Sequence, residues 1–533
     1  MKSSHHYNST RNVVYAKNGM VATSQPLAAQ AGLDILKQGG NAVDAAIAVA
    51  ACLTVVEPTS NGIGGDNFAI VSFKGQLYGL NSSGFAPKDI SIQKLKDSGL
   101  TEIPKFGFVP VTVPGAVAGW VELSKKFGKL PLLDVLKPAI FYARNGFAVS
   151  PTVAYYWKSA NQIYQKHLKG EMYKSWFDTF TKDLHVPEAG DFWHLKDHAN
   201  TLEEIGKTAG KSFYQGNLAN QIDAYSKKYG GYLKKSDLMA FQPEWVTPVS
   251  INYKGYDIWE LPPNGQGIVA LEALNIVENF KIEAKKKVNT YHQQIESLKL
   301  AFADGLAYIS DSSSMKTSVD TLISKSYAKL RFKEIEDQAK VYTEGKPSSS
   351  GTVYLATADC DGNMVSMIQS NYMGFGSGLV VPNTGIALHN RGHNFSLDKN
   401  SDNVLAGGKR PFHTIIPGFI SKDNTHLGPF GVMGGFMQPQ GHMQVIMNMI
   451  DFKLDPQQAL DAPRWQWTEG KKILVEPDLP KRIIKGLMDK GHDIQIEQNS
   501  GSFGRGQIII KNTKNGVYCG GTEKRADGSI ASY

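Results

Sequence analysis

The sequence predicts one interlocked assembly of α-helices and β-strands, built from two consecutive segments. Helical patterns predominate between about residues 127 and 340, whereas glycine and strand-forming residues become frequent after residue 352. A helix-rich part followed by a strand-rich part, without internal repeats, is typical of two segments that share one α/β core. We therefore divide the chain into a large segment, residues 1–351, and a small segment, residues 352–533.

Composition and charge indicate an ordinary globular protein. The chain has 533 residues, of which 41% are hydrophobic and 20% are charged. The net charge of +8 is spread along the chain and no nucleic-acid motif is present, so a nucleic-acid partner is not expected. No apolar run could span a bilayer and the N-terminus lacks a secretory signal, so we expect a cytoplasmic protein with no membrane partner. Cys52, Cys360 and Cys519 are far apart, which predicts reduced thiols and not a disulfide framework or a metal site.

Glycines and capping residues mark the elements of the large segment. Residues 13–23 predict a first strand, and residues 25–37 predict a helix closed by Gly39 and Gly40. Asn41 is a good N-cap for the apolar run behind it, which predicts a buried helix. A glycine-rich turn at 57–66 leads into a strand at 68–73. The turn lacks the spacing and the lysine of a phosphate-binding loop.

Two further helices are expected in the large segment. One opens at residues 113–120, where a proline near the start is followed by small residues. The other covers residues 292–306 and has an amphipathic pattern. Its candidate core residues are Ile295, Leu298, Leu300, Ala301 and Leu306. Residues 262–267 predict a rigid loop ahead of another helix.

The small segment opens with a predicted β-hairpin that begins at Gly351 and Thr352. Two strand-like runs are joined by residues 361–363 (DGN), and a soft loop at 347–350 precedes them. If the Gly351–Thr352 bond is cut, Thr352 acquires a free α-amine with a pKa of about 7.7–8.0. That amine can take the proton of its own hydroxyl, so one residue supplies both nucleophile and base. Taken alone, the hairpin fits an ordinary structural threonine better.

Other stretches place this hairpin in a wider pattern. They are residues 39–46 (GGNAVDAA), 57–58 (EP), 62–65 (GIGG), 112–119 (TVPGAVAG), 299–304 (KLAFAD), 359–363 (DCDGN) and 434–435 (GG). In their order and spacing, from about residue 19 to the C-terminus, the sequence resembles the γ-glutamyltransferase family of N-terminal-nucleophile (Ntn) hydrolases. The resemblance implies a four-layer αββα sandwich and a precursor that cuts itself after Gly351 into large and small subunits. It also implies that Thr352 is the catalytic nucleophile and that no cofactor takes part.

The resemblance assigns three more catalytic residues. Backbone N–H groups of Gly434 and Gly435 would bind the oxyanion, and such donors contribute roughly 2.7–4 kcal/mol each to transition-state stabilisation. Ser370 stands where the family usually has a threonine that supplies a second hydroxyl near the nucleophile. In a chain without Thr352, Gly434 and Gly435 would simply be a tight turn.

The predicted substrate pocket departs from the family pattern. Ser83 stands in place of the arginine that clamps the substrate α-carboxylate, and Asn394 in place of the aspartate that binds the α-ammonium. His413 and Thr414 replace a serine pair, and Tyr372 replaces an asparagine. One hydroxyl cannot replace a bidentate guanidinium. The loss of two charged contacts weakens γ-glutamyl recognition by roughly a hundredfold or more.

The catalytic machinery is therefore expected to persist while the specificity changes. Arg391, His393 and His413 indicate a different, anionic acyl group, as in the cephalosporin (glutaryl) acylase-like branch of the family. Arg391 is explained equally well as a structural ion-pair partner. A γ-glutamyl substrate of the glutathione type remains the competing acyl donor.

Two alternatives come from other classes of protein. Four histidines could form a metal site, but the glycines around them favour a loop and no carboxylate or cysteine completes the set. They are His389, His393, His413 and His442. The second alternative is an inert relative that keeps only the fold. The expected partners are a small-molecule amide and the two subunits of one precursor, and a homo-oligomer is compatible with the sequence.

Overall fold

The computed structural model describes residues 11–342 and 351–533, so the soft loop predicted at 347–350 lies outside the described residues. The strands are β1 Val14–Ala16, β2 Gly19–Thr23, β3 Asp66–Phe73, β4 Gln76–Ser82, β5 Phe147–Ala148, β6 Phe192–Trp193, β7 Glu244–Val246, β8 Val249–Tyr253, β9 Tyr256–Glu260, β10 Gly351–Asp359, β11 Met364–Tyr372, β12 Gly418–Lys422, β13 Thr425–Met433, β14 Trp465–Glu469, β15 Lys472–Val475, β16 Asp493–Ile496, β17 Arg505–Lys511, β18 Tyr518–Thr522 and β19 Ser529–Ser532.

The helices are α1 Pro26–Lys37, α2 Ala42–Val56, α3 Ile92–Asp97, α4 Ala116–Phe127, α5 Leu132–Asn145, α6 Pro151–His167, α7 Lys174–Phe180, α8 Lys196–Thr208, α9 Lys211–Tyr214, α10 Asn217–Lys228, α11 Lys235–Ala240, α12 Gly267–Val277, α13 Val288–Tyr308, α14 Val319–Leu322, α15 Lys325–Phe332, α16 Met437–Ile450, α17 Pro456–Asp461 and α18 Lys481–Asp489. None of these described helices is long and apolar enough to cross a membrane.

Two seven-stranded sheets form the centre of the molecule. The first sheet has the order β1-β18-β17-β13-β12-β9-β8, and the second has the order β19-β2-β10-β11-β3-β4-β7. Side chains of both sheets, such as Tyr354 and Phe419, share one core, so the sheets stack face to face. Helices α1, α2, α4 and α5 cover the outer face of the second sheet, and α12, α13 and α16 cover that of the first. The expected four-layer αββα sandwich is confirmed.

Both segments supply strands to both sheets. The expectation of a strand-poor large segment is wrong, because β1 to β9 all precede residue 351. The overlooked β8 and β9 form a hairpin whose turn residues, Lys254 and Gly255, have φ of +51° and +85°. Alternation over five residues is a weak signal inside a long helical region. The division at residue 351 stays a prediction, and the shared sheets mean that a cut there would leave the two parts interlocked.

Most local predictions for the helices are confirmed. The Gln25 side chain caps α1, and Asn41 forms a capping box with Asp44 at the start of α2. Every residue of α2 is buried, as its apolar run predicts. The amphipathic pattern predicted for α13 is wrong, because polar side chains such as His292 and Glu296 are buried beside the expected core residues. Helix α13 packs against α12 and α18, which leaves it little exposed surface, so its buried polar groups find hydrogen-bond partners within the protein.

The β10–β11 hairpin forms as predicted. Gly362 in its turn has φ +86°, which favours glycine. Strand β10 lies between β2 and β11 in the second sheet, with its first residues at the end of the sheet where β3 also begins. The register of β10 and β11 shifts between Gly351 and Val353, where Thr352 of β10 faces two residues of β11, Ser370 and Asn371, so Thr352 lies opposite a β-bulge. Bulges re-aim side chains and are frequent next to active sites.

Candidate active site

Thr352 is buried at the bulge, beside the peptide bond that precedes it. Its exposed fraction is 0%. Its hydroxyl donates to the Gly351 carbonyl oxygen at 2.8 Å, and its Oγ1 lies 3.1 Å from the Ser370 Oγ. A hydroxyl and a peptide carbonyl thus stand together where the chain leaves regular strand geometry.

Ser370 on β11 completes a group of two hydroxyls around the Gly351 carbonyl. Its hydroxyl donates to the Gly351 oxygen at 3.0 Å. Its Oγ accepts from the Tyr372 backbone N–H at 2.8 Å and from Arg391 Nη2 at 3.3 Å. The four contacts fix the Ser370 side chain between the Thr352 hydroxyl, the Gly351 carbonyl and a guanidinium.

Arg391 is the buried cation of the site. It begins the 3₁₀ turn Arg391–Asn394, where the sequence predicted a loop, and its side chain is 0% exposed. Nη1 donates to the Thr414 Oγ1 at 2.8 Å, and the guanidinium lies 4.3 Å from the centre of the Tyr372 ring. Burial lowers the pKa of Arg391 to about 10, against a smaller opposing effect of Asp66, so the guanidinium stays protonated at neutral pH. Tyr372 has φ +73°, an uncommon conformation that places its ring under the cation.

Asp66, the first residue of β3, is a functional candidate that sequence reasoning missed. Its Oδ2 lies 2.9 Å from His413 Nε2, 3.2 Å from His389 Nδ1 and 3.9 Å from Arg391 Nε. Burial opposes ionisation, but the interactions with His389 and His413 outweigh it and hold the pKa of Asp66 below its usual range. Asp66 is therefore a carboxylate. A charged residue opening a buried strand directly behind Gly64 and Gly65 was the signal that could have found it.

His413 is neutral and acts as a hydrogen-bond relay. Burial and the neighbouring Arg391 charge lower the pKa of His413 to about 3. With one ring proton, it donates from Nε2 to Asp66 and accepts from the Ile415 N–H at Nδ1, 3.3 Å away. Its Phe68 neighbour, with ring centroids 4.8 Å apart, covers it on one side. His413 therefore supplies the site with a fixed dipole and no charge.

Gly434 and Gly435 link β13 to the start of α16. Their φ angles of +137° and +60° favour glycine, and a Cβ on Gly434 would lie 3.1 Å from the Gly504 Cα. Gln266 ties this turn to the site, because its Nε2 donates to the Gly435 oxygen at 2.8 Å and to the Thr414 oxygen at 2.6 Å. Gln266 was also missed by sequence reasoning.

Ser83 and Asn394, at the two altered pocket positions, make hydrogen bonds within the protein. The Ser83 hydroxyl donates to the Asn81 Oδ1 at 2.8 Å. The Asn394 side chain donates to the Phe412 carbonyl oxygen at 3.0 Å. Both residues thus hold neighbouring loops in place.

The four histidines that could have formed a metal site lie in three separate places. His389 and His413 flank Asp66, whereas His393 contacts the Ile103 carbonyl and His442 a buried glutamate. Asp66 is a carboxylate next to two of these histidines, which the sequence did not reveal. The positive charge of Arg391 beside it disfavours the binding of a metal cation. Among the described residues, one group has metal-compatible spacing: His292, Glu296 and His492. There the carboxylate is already paired with the Lys299 ammonium at 2.7 Å.

Comparison with known proteins gives the family. Residues 28–533 match the model of the gamma-glutamyltranspeptidase family. The chain belongs to that family. A glutathione hydrolase-like proenzyme (YwrD) of Bacillus subtilis is 37% identical, over 96% of this chain and 97% of its own. The oxamate amidohydrolase proenzyme of Klebsiella pneumoniae is 31% identical, over 97% and 98%.

Solved structures of family members agree with this fold. The crystal structure of a cephalosporin acylase from Bacillus halodurans is 58% identical, with a TM-score of 0.96 and coverage of 100% of this chain and 99% of that one. As a member of the gamma-glutamyltranspeptidase family, the chain is an autoprocessed Ntn amidohydrolase, made as a precursor of a large and a small subunit.

Proposed function

We propose that Thr352 is the nucleophile of this amidohydrolase and that self-cleavage after Gly351 exposes it. The observation that carries the proposal is the buried pair of hydroxyls, Thr352 and Ser370, at 2.8 Å and 3.0 Å from the Gly351 carbonyl oxygen. In self-cleavage the Thr352 Oγ attacks the Gly351 carbonyl carbon, the C–N bond breaks, and the hydroxyl proton ends on the departing nitrogen. Water then hydrolyses the ester, which leaves a Gly351 carboxylate and a free Thr352 amine.

The same residues then act on the substrate. The Thr352 amine, with a reference pKa of about 7.7–8.0, takes the proton of the Thr352 hydroxyl as it attacks the substrate amide. N–H groups of Gly434 and Gly435 bind the oxyanion, and the amine leaves with the proton. Water or another amine takes the acyl group from Thr352.

The preferred acyl group has no α-ammonium, as in a glutaryl amide. Tyr372 and Thr414 both contact Arg391, which hydrogen-bonds to Ser370 next to Thr352. In this proposal Tyr372 and Thr414 line the substrate pocket. Ser83 and Asn394 bring no charge and hold loops, so the contacts that select a γ-glutamyl group are missing. The named relatives include an acylase and an amidohydrolase of oxamate, whose acyl group bears a carboxylate.

Competing substrates test this proposal. We expect glutaryl-anilide to be hydrolysed with at least a tenfold higher kcat/KM than γ-glutamyl-anilide. The Thr352→Ala variant serves as the control and hydrolyses neither. Faster turnover of γ-glutamyl-anilide would overturn the proposed specificity, and turnover by Thr352→Ala would overturn the nucleophile.

A cytoplasmic location is part of the same proposal. Cys52, Cys360 and Cys519 are all free thiols in the structure. Free cysteines are typical of proteins in the cytoplasm, which keeps thiols reduced. Fractionation of the producing cells, with the protein in the soluble internal fraction, is the expected result.

A further inference from the structure

The hydrogen bonds that Ser370 accepts determine the direction in which its hydroxyl proton points. A serine hydroxyl has one proton to donate and two lone pairs to accept with. The Tyr372 N–H occupies one lone pair at 2.8 Å, and Arg391 Nη2 occupies the other at 3.3 Å. The proton is therefore turned to the remaining neighbours, the Gly351 carbonyl oxygen at 3.0 Å and the Thr352 Oγ1 at 3.1 Å.

Arg391 decides this orientation, because the Tyr372 amide alone would leave Ser370 free to rotate. The guanidinium is held at three points: the Thr414 hydroxyl at 2.8 Å, the Tyr372 ring at 4.3 Å, and the Asp66 carboxylate at 3.9 Å. Asp66 is the one carboxylate among these contacts, and a buried guanidinium without a countercharge is strongly destabilised.

Asp66 is itself fixed from four sides. The Gly84 N–H donates to its Oδ1 at 3.1 Å, while His413, His389 and Arg391 surround its Oδ2. His389 is braced in turn by Thr112, whose hydroxyl and carbonyl oxygens lie 3.0 Å and 2.9 Å from its Nε2. These contacts hold the Asp66 carboxylate in one orientation, and its position in turn fixes the position of the Arg391 guanidinium.

Resting on the proposed role of Thr352, we propose that Asp66 is a positioning residue for self-cleavage. Asp66 holds Arg391, Arg391 directs the Ser370 hydroxyl, and Ser370 polarises the Gly351 carbonyl that Thr352 attacks. The negative charge that develops on the Gly351 oxygen then meets a preformed donor with a cation behind it. This role needs no substrate, which separates it from recognition of an acyl group.

The test is the rate at which the purified precursor of each variant cleaves itself, followed by intact mass under denaturing conditions. We expect Asp66→Asn, which removes the countercharge of Arg391, and Arg391→Lys, which disturbs its hydrogen bond to Ser370, to slow cleavage by about 10- to 100-fold, the range for losing a contact with a charged group. Asp304→Asn is the matched control, because it also removes a buried carboxylate, here on α13, that lies 2.8 Å from an arginine, Arg331 on α15. Asp304→Asn should cleave within about twofold of wild type.

A double-mutant cycle distinguishes positioning from general destabilisation. In a Ser370→Ala background, Asp66→Asn should add less than a twofold effect, because its action passes through the Ser370 hydroxyl. A full additional loss there overturns the proposal. So does a folded Asp66→Asn protein that cleaves at the wild-type rate. If Asp66→Asn does not fold, the same criteria apply to Arg391→Lys. Cleavage of Thr352→Ala would instead refute the proposed nucleophile and leave the question of Asp66 separate.

Discussion

Two buried polar clusters in this molecule have similar compositions and different consequences. The Asp66 cluster consists of Asp66, His389, Arg391 and His413, and the His292 cluster consists of His292, Glu296, Lys299 and His492. Each holds one carboxylate, one cation and two histidines, and each is almost completely buried. They differ in where their hydrogen bonds end.

The hydrogen bonds of the Asp66 cluster lead to the Ser370 hydroxyl, beside the proposed nucleophile Thr352. Arg391 donates to Ser370, which touches both Thr352 and the Gly351 carbonyl oxygen. The His292 cluster ends on the backbone. His292 Nε2 donates to the Glu336 carbonyl at 2.8 Å, and Glu296 accepts from the Lys340 N–H at 3.1 Å. A buried charged cluster is thus no sign of function by itself. Whether it has a catalytic role depends on which group its outermost hydrogen bonds reach.

The largest effect is expected at Thr352, the end point of the Asp66 cluster. Thr352→Ala removes the attacking oxygen, so neither self-cleavage nor amide hydrolysis should be detectable. Thr352→Ser keeps a hydroxyl and should cleave measurably. Intact mass and an anilide assay check both variants, and a Thr352→Ala protein split after Gly351 would remove the basis for the comparison.

The turn at Gly434 and Gly435, the proposed oxyanion donors, should be nearly as sensitive to substitution. Gly434→Ala adds a Cβ at φ +137° and 3.1 Å from the Gly504 Cα, which displaces the N–H donors. We expect kcat to fall by roughly 100- to 1000-fold, the cost of losing an oxyanion donor. Gly470→Ala is the control, because Gly470 also has positive φ, +50°, but a Cβ there meets nothing within 4 Å. Equal activities of the two variants would argue against an oxyanion role.

The His292 cluster should affect stability and leave chemistry unchanged. Glu296→Gln weakens the partner of Lys299 and should cost about 1–3 kcal/mol of unfolding free energy. Its anilide kcat and its cleavage rate should stay within about twofold of wild type, in contrast to Asp66→Asn. Urea unfolding and cleavage assays measured together check this. A tenfold slower cleavage in folded Glu296→Gln would erase the distinction between the clusters.

The last expected effect is a pH dependence of the unfolding free energy, which both clusters share. Burial lowers the pKa of His413 and of His492 to about 3, below the unfolded value of about 6.5. The unfolded chain therefore binds more protons, and each histidine makes stability fall as the pH drops from 6.5 toward 3. His492→Gln and His413→Gln should each lessen that fall by up to about 1.4 kcal/mol per pH unit. Unfolding free energies at several pH values check the slopes, and unchanged slopes would contradict the neutral, buried state.

Local sequence signals predicted much of this fold. The turn around Gly362, the cap at Asn41 and the apolar run of α2 each depend on neighbours in sequence, and the structure has them as expected. The order of motifs gave the αββα architecture through family resemblance. The β8–β9 hairpin was missed because its two strands have only five residues each.

The site was less predictable, because its contacts join distant parts of the chain. Asp66 meets His389 and His413 across more than 300 residues, and no local pattern encodes that meeting. The sequence also left Arg391 between a substrate contact and a structural ion pair. Its complete burial against Ser370, Thr414 and Asp66 favours the structural role.

The most direct test of the account is the mass of the purified wild-type protein under denaturing conditions. The account predicts two fragments, one that ends at Gly351 and one that begins with Thr352. A chain that stays intact from Met1 to Tyr533 after long incubation would contradict it, because no free Thr352 amine would then exist.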